Sequence, residues 1–299
     1  MKRNFKYLVF QRIKHPFTLF SLCFLFSLFS CRKDITPKLP EYKEKLVVEA
    51  SIETGQPAKV FLSYSVPYFG SFDFTAPQNA FVKGAFITVS DGISIDTLKE
   101  LYPSTGYIYF GTKVMGAVGR TYHLTINSNG HIVTADTYIP PPVKLDSIYF
   151  KGELDTLGFI WAHMHEPAGL GNNYRWLAKR LNADLYYAGP FNSAFDDKFI
   201  DGKDFDFAYD RGPQPNEIQS YKDDPEAGYY KVGDTVVVKF CTIGRNEYLF
   251  WTSYYINKSS NSNPFSAPSN IKSTLSGDDA LGCFCGYSPT FDTLIIKKK

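Results

Sequence analysis

The segment Gly119-Arg-Thr-Tyr-His-Leu-Thr-Ile126, followed by Asn129-Gly130 and His131-Ile-Val-Thr-Ala135, predicts a β-hairpin. Short runs of β-forming residues lie on both sides of Asn-Gly, and this dipeptide supplies the positive-φ residues that a tight turn requires. Tyr122 enters a late strand, where a tyrosine can pack as the corner of a β-sandwich. The segment therefore indicates two packed sheets.

Upstream of the hairpin, short runs of β-forming residues are separated by turn residues, with no helical period between them. The runs are Leu46-Val-Val-Glu-Ala-Ser-Ile52, Lys59-Val-Phe-Leu-Ser-Tyr64, Ala85-Phe-Ile-Thr-Val-Ser90 and Tyr107-Ile-Tyr-Phe110. The 26 Phe and 21 Tyr residues of the chain also favour half-buried pleated surfaces. We expect an immunoglobulin-like β-sandwich over residues 46–140, which ends where Ile139-Pro-Pro-Pro142 removes the N–H groups that strand pairing needs.

Residues 141–299 predict a second, β-rich (α+β) domain, so the expected fold class is mainly β. Strands are predicted at 146–150, 157–162, 174–178 and 234–240. Residues 196–207 predict a further hairpin that turns at Asp201-Gly202. Residues 247–257 predict a helix in the C-terminal half, because Tyr248, Trp251 and Tyr255 recur at helical spacing.

Residues 1–30 have the pattern of a signal peptide, in which five basic residues and no acidic one precede an apolar run over residues 17–30. As a helix, residues 17–30 would span about 21 Å, which is short of the roughly 30 Å hydrocarbon core of a bilayer. The run ends in Leu28-Phe29-Ser30-Cys31, which resembles the lipobox of bacterial lipoproteins. We expect lipid attachment at Cys31, stable membrane anchoring and a flexible tether over residues 31–45.

Charge and motifs argue against two classes of function. Five of the 32 Lys and Arg residues but none of the 30 Asp and Glu residues precede Cys31, which leaves the mature chain with a formal charge of −3. Nucleic-acid binding depends on a basic surface, so we expect no nucleic-acid partner. The chain has no Gly-x-Ser-x-Gly elbow, no phosphate-binding glycine loop and no His-Glu-x-x-His motif. We expect a protein that is not an enzyme and uses no cofactor.

The predicted folded part contains three cysteines, Cys241, Cys283 and Cys285. Cysteines two apart on a strand share a face but bridge poorly. The sequence therefore allows one disulfide, between Cys241 and either Cys283 or Cys285. A zinc site would need further soft ligands, and the sequence places none nearby.

Two groups of side chains are candidate metal ligands. His163 and His165 alternate on a predicted strand and would present two imidazoles on one face, although a third ligand is missing nearby. An acidic cluster offers the oxygen ligands that calcium takes, but it does not follow the EF-hand pattern and a hairpin explains its period. The cluster consists of Asp196, Asp197, Asp201, Asp204, Asp206 and Asp210.

An aromatic-rich stretch between two predicted strands is a candidate binding loop. Its aromatic residues are Tyr64, Tyr68, Phe69, Phe72 and Phe74. The loop would contact a ligand or a receptor. The alternative is that these rings cover an edge of the core.

Seven motifs, taken in order, carry a resemblance to a known family. They are Leu46-Val-Val-Glu-Ala50, Gly119-Arg-Thr-Tyr122, Ala135-Asp-Thr-Tyr-Ile-Pro140, Asn172-Asn-Tyr-Arg175, Asp201-Gly-Lys203, Asn263-Pro-Phe265 and Gly282-Cys-Phe-Cys-Gly-Tyr-Ser288. Together they resemble domain of unknown function 4249, a family of Gram-negative lipoproteins whose final motif does not usually carry cysteine at both variable places. The resemblance implies an outer-membrane lipoprotein, frequently encoded beside a TonB-dependent receptor, with no established activity.

These observations lead to one functional hypothesis and two alternatives. The leading hypothesis is an accessory binding subunit at the outer membrane or cell surface, which works with a TonB-dependent receptor in nutrient uptake. Its anchor would hold it on either the periplasmic or the external face. The first alternative is an envelope hydrolase or metal-dependent enzyme that uses His163 and His165 or the acidic cluster. The second is a structural or adhesive surface module.

Overall fold

The computed structural model describes residues 43–66, 80–102, 107–212, 226–260, 270–277 and 279–298. Within these ranges the chain forms seventeen strands and one helix, which confirms the predicted mainly β class with a helix in the C-terminal half. The predicted signal peptide, Cys31 and most of the predicted tether lie outside the described residues. The elements are β1 (Leu46–Glu53), β2 (Pro57–Tyr64), β3 (Phe86–Ser90), β4 (Ile95–Thr97), β5 (Lys99–Leu101), β6 (Ile108–Met115), β7 (Thr121–Ser128), β8 (His131–Tyr138), β9 (Ser147–Leu154), β10 (Leu157–His165), β11 (Asn173–Arg180), β12 (Ala194–Asp196), β13 (Asp204–Tyr209), β14 (Tyr230–Lys231), β15 (Thr235–Ile243), α1 (Arg245–Ser260), β16 (Ser276–Gly277) and β17 (Ala280–Ile295).

The 16-residue strand β17 joins the two halves of the chain in one sheet. It pairs in parallel with β1 and antiparallel with β15. The resulting sheet has eight strands in the order β12-β11-β15-β17-β1-β2-β6-β5. The predicted boundary near residue 140 therefore does not divide the sheets, and residues 43–299 form one compact unit.

The first sandwich forms where a five-stranded sheet, in the order β16-β8-β7-β3-β4, packs on one end of the eight-stranded sheet. The eight-stranded sheet contributes Ile52, Val60 and Phe284 to the shared core, and the facing sheet contributes Ile87 and Ile126. Buried and exposed residues alternate strictly along β7, as a strand with one solvated face requires. The predicted immunoglobulin-like sandwich is confirmed, and β17 completes its core from the far end of the chain.

Tyr122 forms the predicted sandwich corner. Its hydroxyl donates a hydrogen bond to the Met115 carbonyl at 3.0 Å and accepts one from the Ala117 N–H at 2.7 Å. Asn129 and Gly130 have φ angles of 50° and 84°, as the tight turn between β7 and β8 requires. The local chemistry of this segment therefore produces the predicted hairpin.

The second sandwich forms where β9, β10, β13 and β14 pack against β11 and β15. The predicted hairpin over residues 196–207 is wrong, because β12 pairs with β11 whereas β13 pairs with β10 in the facing sheet. This crossing buries aromatic rings between the two sheets. The ring centroid of Phe207 lies 5.8 Å from that of Trp176 and 5.3 Å from that of Phe195. Such ring pairs add to the free energy gained by burial alone.

Helix α1 covers the opposite face of the eight-stranded sheet, which we call the back face. Phe250, Trp251 and Tyr255 of the helix are buried with Cys241 and Cys283 of the sheet. The predicted helix is therefore confirmed, together with its apolar stripe. Among the described residues, no helix combines the length and the apolar composition that crossing a membrane requires.

Glu247 connects the first turn of α1 to the sheets. Its side chain is buried and accepts a hydrogen bond from the Thr137 hydroxyl of β8. The N–H of Gly286 in β17 also donates to it. Burial raises the pKa of Glu247 above its ordinary value of 4.5, although both hydrogen bonds act in the opposite direction.

We expect Glu247→Gln to remove one component of the pH dependence of stability. Because the folded pKa lies above the unfolded one, the folded state holds more protons between the two values, and the wild type loses stability as the pH rises through that window. The loss is about 1.4 kcal/mol for each unit that separates the two pKa values. Urea unfolding between pH 4 and 8 measures it, and parallel curves for wild type and E247Q would contradict the prediction. The exposed control Glu153→Gln on β9 should follow the wild type.

Candidate functional site

The two candidate metal-binding histidines form cross-strand pairs with two members of the acidic cluster. His163 lies opposite Asp206 and His165 lies opposite Asp204 in the pairing of β10 with β13. The Nδ1 to Oδ1 distances are 3.2 Å and 2.8 Å, respectively. Side chains that contact each other directly across two strands stabilise a sheet modestly. This pairing accounts for the alternation of all four residues.

Three of the four remaining members of the acidic cluster have separate structural partners, whereas Asp210 has one buried carboxyl oxygen without a hydrogen-bond partner among the described residues. Asp197 and Asp201 accept backbone N–H groups of residues 169–172 at 2.6–2.7 Å. Asp196 forms an ion pair with Arg245 at 2.8 Å. In the part of the chain that the structure describes, no three His, Cys, Asp or Glu side chains are grouped as a metal site would require.

Of the predicted aromatic loop, only Tyr64 falls within the described residues; Tyr68, Phe69, Phe72 and Phe74 lie outside them. Tyr64 ends β2, and its hydroxyl accepts a hydrogen bond from the Asn129 amide at 2.8 Å. With Asn129, it lines a cavity of about 300 Å³. The role of the loop stays a prediction.

Cys241, Cys283 and Cys285 are free, buried thiols. Cys241 pairs with Pro289, so Cys285 lies four residues, about 13 Å, further along β17, and Cys283 is more distant still. A disulfide requires Cα atoms within about 7 Å. The strand register therefore rules out the predicted bridge to either partner.

We expect Cys241 and Cys283 to resist alkylation in the folded protein. Burial raises the pKa of Cys241 to about 12 and that of Cys283 well above its usual value. At pH 8 a thiol with such a pKa is ionised to about one part in 10,000, and the thiolate is the reactive form. Iodoacetamide labelling followed by peptide mass spectrometry should show labels on these residues only after unfolding. Labelling of Cys241 in native protein within minutes would contradict this expectation.

Two adjoining cavities lie on the back face, with volumes of about 500 and 420 Å³. They are lined by β1, β11 and β17 of the sheet, by α1 and by the segment around Tyr187. We refer to the two together as the Arg175 cavity. The residues that line both parts are Glu49, Arg175, Leu177, Tyr187, Trp251 and Cys283.

The guanidinium of Arg175 is the central polar group of this cavity. The side chain is only 9% exposed, and its guanidinium carbon lies 3.3 Å from the ring centroid of Trp251. One nitrogen, Nη1, donates a hydrogen bond to the Tyr287 hydroxyl at 2.5 Å. The buried Nε has no hydrogen-bond partner. Arg175 therefore has one donor that no group of the described residues accepts. Its guanidinium is also charged, because arginine stays protonated in folded proteins.

Arg175 also has no carboxylate partner among the described residues. Arg120, Arg180 and Arg245 each form an ion pair with an aspartate, whereas Arg175 forms none. Burial raises the pKa of Tyr287 above its usual range, so its hydroxyl is neutral at pH 7 and supplies no negative charge. Buried charges are usually paired, because removing them from water is costly. The positive charge of Arg175 is thus uncompensated by this part of the chain.

A second buried cation in the cavity is already neutralised. Nζ of Lys239 lies 2.5 Å from Oε1 of Glu53 and 5.6 Å from the ring centroid of Tyr187. Around both parts of the cavity, basic side chains nevertheless outnumber acidic ones. The basic residues are Lys59, Arg175, Lys239 and Lys258, and the acidic ones are Glu49 and Glu53. This cavity is therefore positive in a mature chain that is formally negative.

Local spacing could not have revealed this cavity, because its residues come from distant parts of the chain. Arg175 and Tyr287, which form the central hydrogen bond, are 112 residues apart. The sequence did indicate some of the lining residues through the family motifs, because Glu49, Arg175 and Cys283 belong to three of these motifs. The structure brings those three motifs together on the back face.

The fold and the cavity define a mainly β protein of two sandwiches with a candidate binding site for a small anion. Comparison with known families then identifies the chain more closely. It belongs to the family described as Domain of unknown function (DUF4249), which matches residues 32–292. This match confirms the resemblance carried by the sequence motifs.

Comparison with curated proteins gives no match. Among solved structures, the chain is similar to a segment of two fibronectin type-III domains from chicken tenascin, with 11% sequence identity and a TM-score of 0.19. That similarity covers 67% of this chain and 91% of the tenascin segment.

Proposed function

We propose that this protein is a lipid-anchored accessory binding subunit of the cell envelope, which holds a small ligand in the Arg175 cavity. The observation that carries this proposal is the cavity itself, with a buried guanidinium that no carboxylate of the described chain neutralises. Its larger part, about 500 Å³, falls within the range typical of ligand sites. Aromatic walls with few convergent polar groups are also typical of such sites.

The proposed role is binding rather than catalysis. The histidines and aspartates that an enzyme could have used lie in cross-strand and loop contacts outside this cavity. At the cavity, burial raises the pKa of Cys283, which makes it a poor nucleophile. The Arg175 cavity therefore presents groups that hold a ligand and none that is activated to transform one.

The anchor and the partner complete the proposal. Acylation of Cys31 would hold the protein on the outer membrane, where a TonB-dependent receptor would be its partner in nutrient uptake. The lipobox-like sequence before Cys31 supports the anchor. The family supports the partner, because the resemblance implies genes placed beside such receptors.

Co-purification tests the partner. Affinity-tagged protein extracted from its own membranes in mild detergent should bring down a TonB-dependent receptor that mass spectrometry identifies. The matched control is the same tag on an unrelated outer-membrane lipoprotein. If repeated purifications never enrich such a receptor over the control, the proposed partnership is wrong.

We expect Cys31→Ser to abolish anchoring. Without the thiol no acyl chains are attached, and each buried CH₂ of those chains contributes about 0.8 kcal/mol to membrane binding. The variant should lose fatty-acid label and leave the membrane fraction. Cys241→Ser serves as the control, because this thiol is buried in the folded chain and should not affect anchoring. Retention of C31S in the same membrane fraction would contradict the anchor.

A further inference from the structure

We propose that the Arg175 cavity binds a molecule with a single carboxylate attached to an aromatic ring. This inference rests on the proposed function, because it names the class of ligand for the same cavity. The carboxylate would pair with the guanidinium of Arg175, and the ring would lie against Trp251 and its aromatic neighbours. Three features of the cavity lead to this class.

The first feature is the free donor capacity of Arg175. Its Nη1 donates to Tyr287 and its Nε donates to no group. A guanidinium is a planar fork that matches the two oxygens of a carboxylate, and such charge-assisted pairs are the strong hydrogen bonds of proteins. A carboxylate ligand would provide the opposite charge that the described chain does not supply.

The second feature is the charge around Arg175, which favours a ligand with one negative charge. Lys239, the other buried cation, already pairs with Glu53. Glu49 lines both parts of the cavity with an exposed side chain, and like charges repel. Lys59 and Lys258 also line the cavity, but both are more exposed than Arg175. Among the described residues, Arg175 is therefore the one buried cation of the lining without a carboxylate partner, and a single buried charge favours a monoanion over a phosphate or a dicarboxylate.

The third feature is the flat, apolar wall beside the charge. Trp251 lies directly under the guanidinium, and the rings of Phe250 and Tyr254 continue this wall along α1. Tyr187 contributes a further ring to the lining of both parts of the cavity. Aromatic rings pack favourably on one another in offset or edge-to-face contacts. A ring next to the carboxylate therefore matches this wall better than a hydrated sugar would.

Isothermal titration calorimetry with two matched probes tests the inference on the full mature protein. The probes are 2-naphthoate and the neutral 2-naphthamide, which share a ring system and differ in the charged group. We expect naphthoate to bind the wild type at least about tenfold more tightly than naphthamide. Arg175→Gln should weaken naphthoate at least about tenfold and leave naphthamide nearly unchanged, because only naphthoate carries a charge that pairs with the guanidinium. Lys99→Gln, an exposed charge on edge strand β5, should behave as the wild type.

Several outcomes would overturn the inference. Equal affinities for the two probes would exclude carboxylate recognition while leaving a binding cavity, so the proposed function would survive. Unchanged naphthoate binding by R175Q would exclude the Arg175 site, and absence of binding by both probes would exclude the ligand class. If R175Q does not fold, the ratio of the wild-type affinities for naphthoate and naphthamide tests carboxylate recognition without the variant. Receptor co-purification tests the proposed function separately.

Discussion

Gly282→Ala is expected to destabilise the folded protein by more than about 4 kcal/mol, a cost that few single substitutions reach. Gly282 lies in β17 with φ of +132°, where side chains are rarely found. A Cβ atom there would lie 1.8 Å from the carbonyl oxygen of Val48, its pairing partner in β1. The atom in the way is backbone, so relief of the clash requires the strands to separate. The β1–β17 pairing holds the two halves of the chain together, so its loss affects both sandwiches.

The control for this substitution is Gly119→Ala. Gly119 has φ of +80°, but a Cβ atom there would meet nothing within 4 Å. The substitution should therefore destabilise the protein only by the free energy of holding alanine in the left-handed conformation, about 1–2 kcal/mol. Urea unfolding of both variants measures the difference. If G282A and G119A lost similar amounts of unfolding free energy, the close approach of β1 and β17 would not be the reason that position 282 requires glycine.

Asp96→Ala is expected to cost about 3–5 kcal/mol, because it removes the acceptor of three backbone N–H groups and a buried unsatisfied group costs about 1–3 kcal/mol. The Asp96 side chain is 1% exposed. Its Oδ2 accepts the backbone N–H groups of Thr112, Lys113 and Val114 at 2.6, 2.6 and 3.1 Å. These groups lie in β6, where the pairing with β2 is irregular and the ladder leaves donors without strand partners. Alanine would leave these donors without the carboxylate, and unsatisfied buried donors destabilise the folded state.

Asp136→Ala on β8 is the matched control. Asp136 pairs with His123 at 2.6 Å, but both side chains are largely exposed, and exposed pairs contribute little. Its loss should change the free energy of unfolding by less than about 1 kcal/mol. Chemical unfolding at pH 7 compares the two variants. An effect of D96A no larger than that of D136A would refute the assigned role of Asp96.

Features fixed by neighbouring residues were predictable from the sequence. The turn at Asn129-Gly130 depends on backbone conformations that few residues adopt, and the Tyr122 corner depends on a hydroxyl that reaches back only seven residues, to Met115. The helix follows from the spacing of its aromatic residues. Such local signals gave the mainly β class and most strand positions correctly.

Features set by distant contacts were missed. Glycine and cysteine residues occupy much of the first half of β17, so propensity does not mark it as a strand. Pairing within the eight-stranded sheet, with the first core on one face and α1 on the other, makes it one. The period of Phe205 and Phe207 marked a strand correctly, but period alone does not say which sheet it joins. The Arg175 cavity could be predicted only from both the positions of its elements along the chain and their neighbours in space. Its lining residues come together only when β11, β17 and α1 are packed in the fold.

The most direct test of the central claim is a crystal structure of the mature protein with 2-naphthoate. We predict the ligand carboxylate within about 3 Å of the guanidinium nitrogens of Arg175, with the naphthalene ring against Trp251. Density for the ligand only outside this cavity would contradict the claim. So would a guanidinium of Arg175 that is paired with a carboxylate of the protein's own chain.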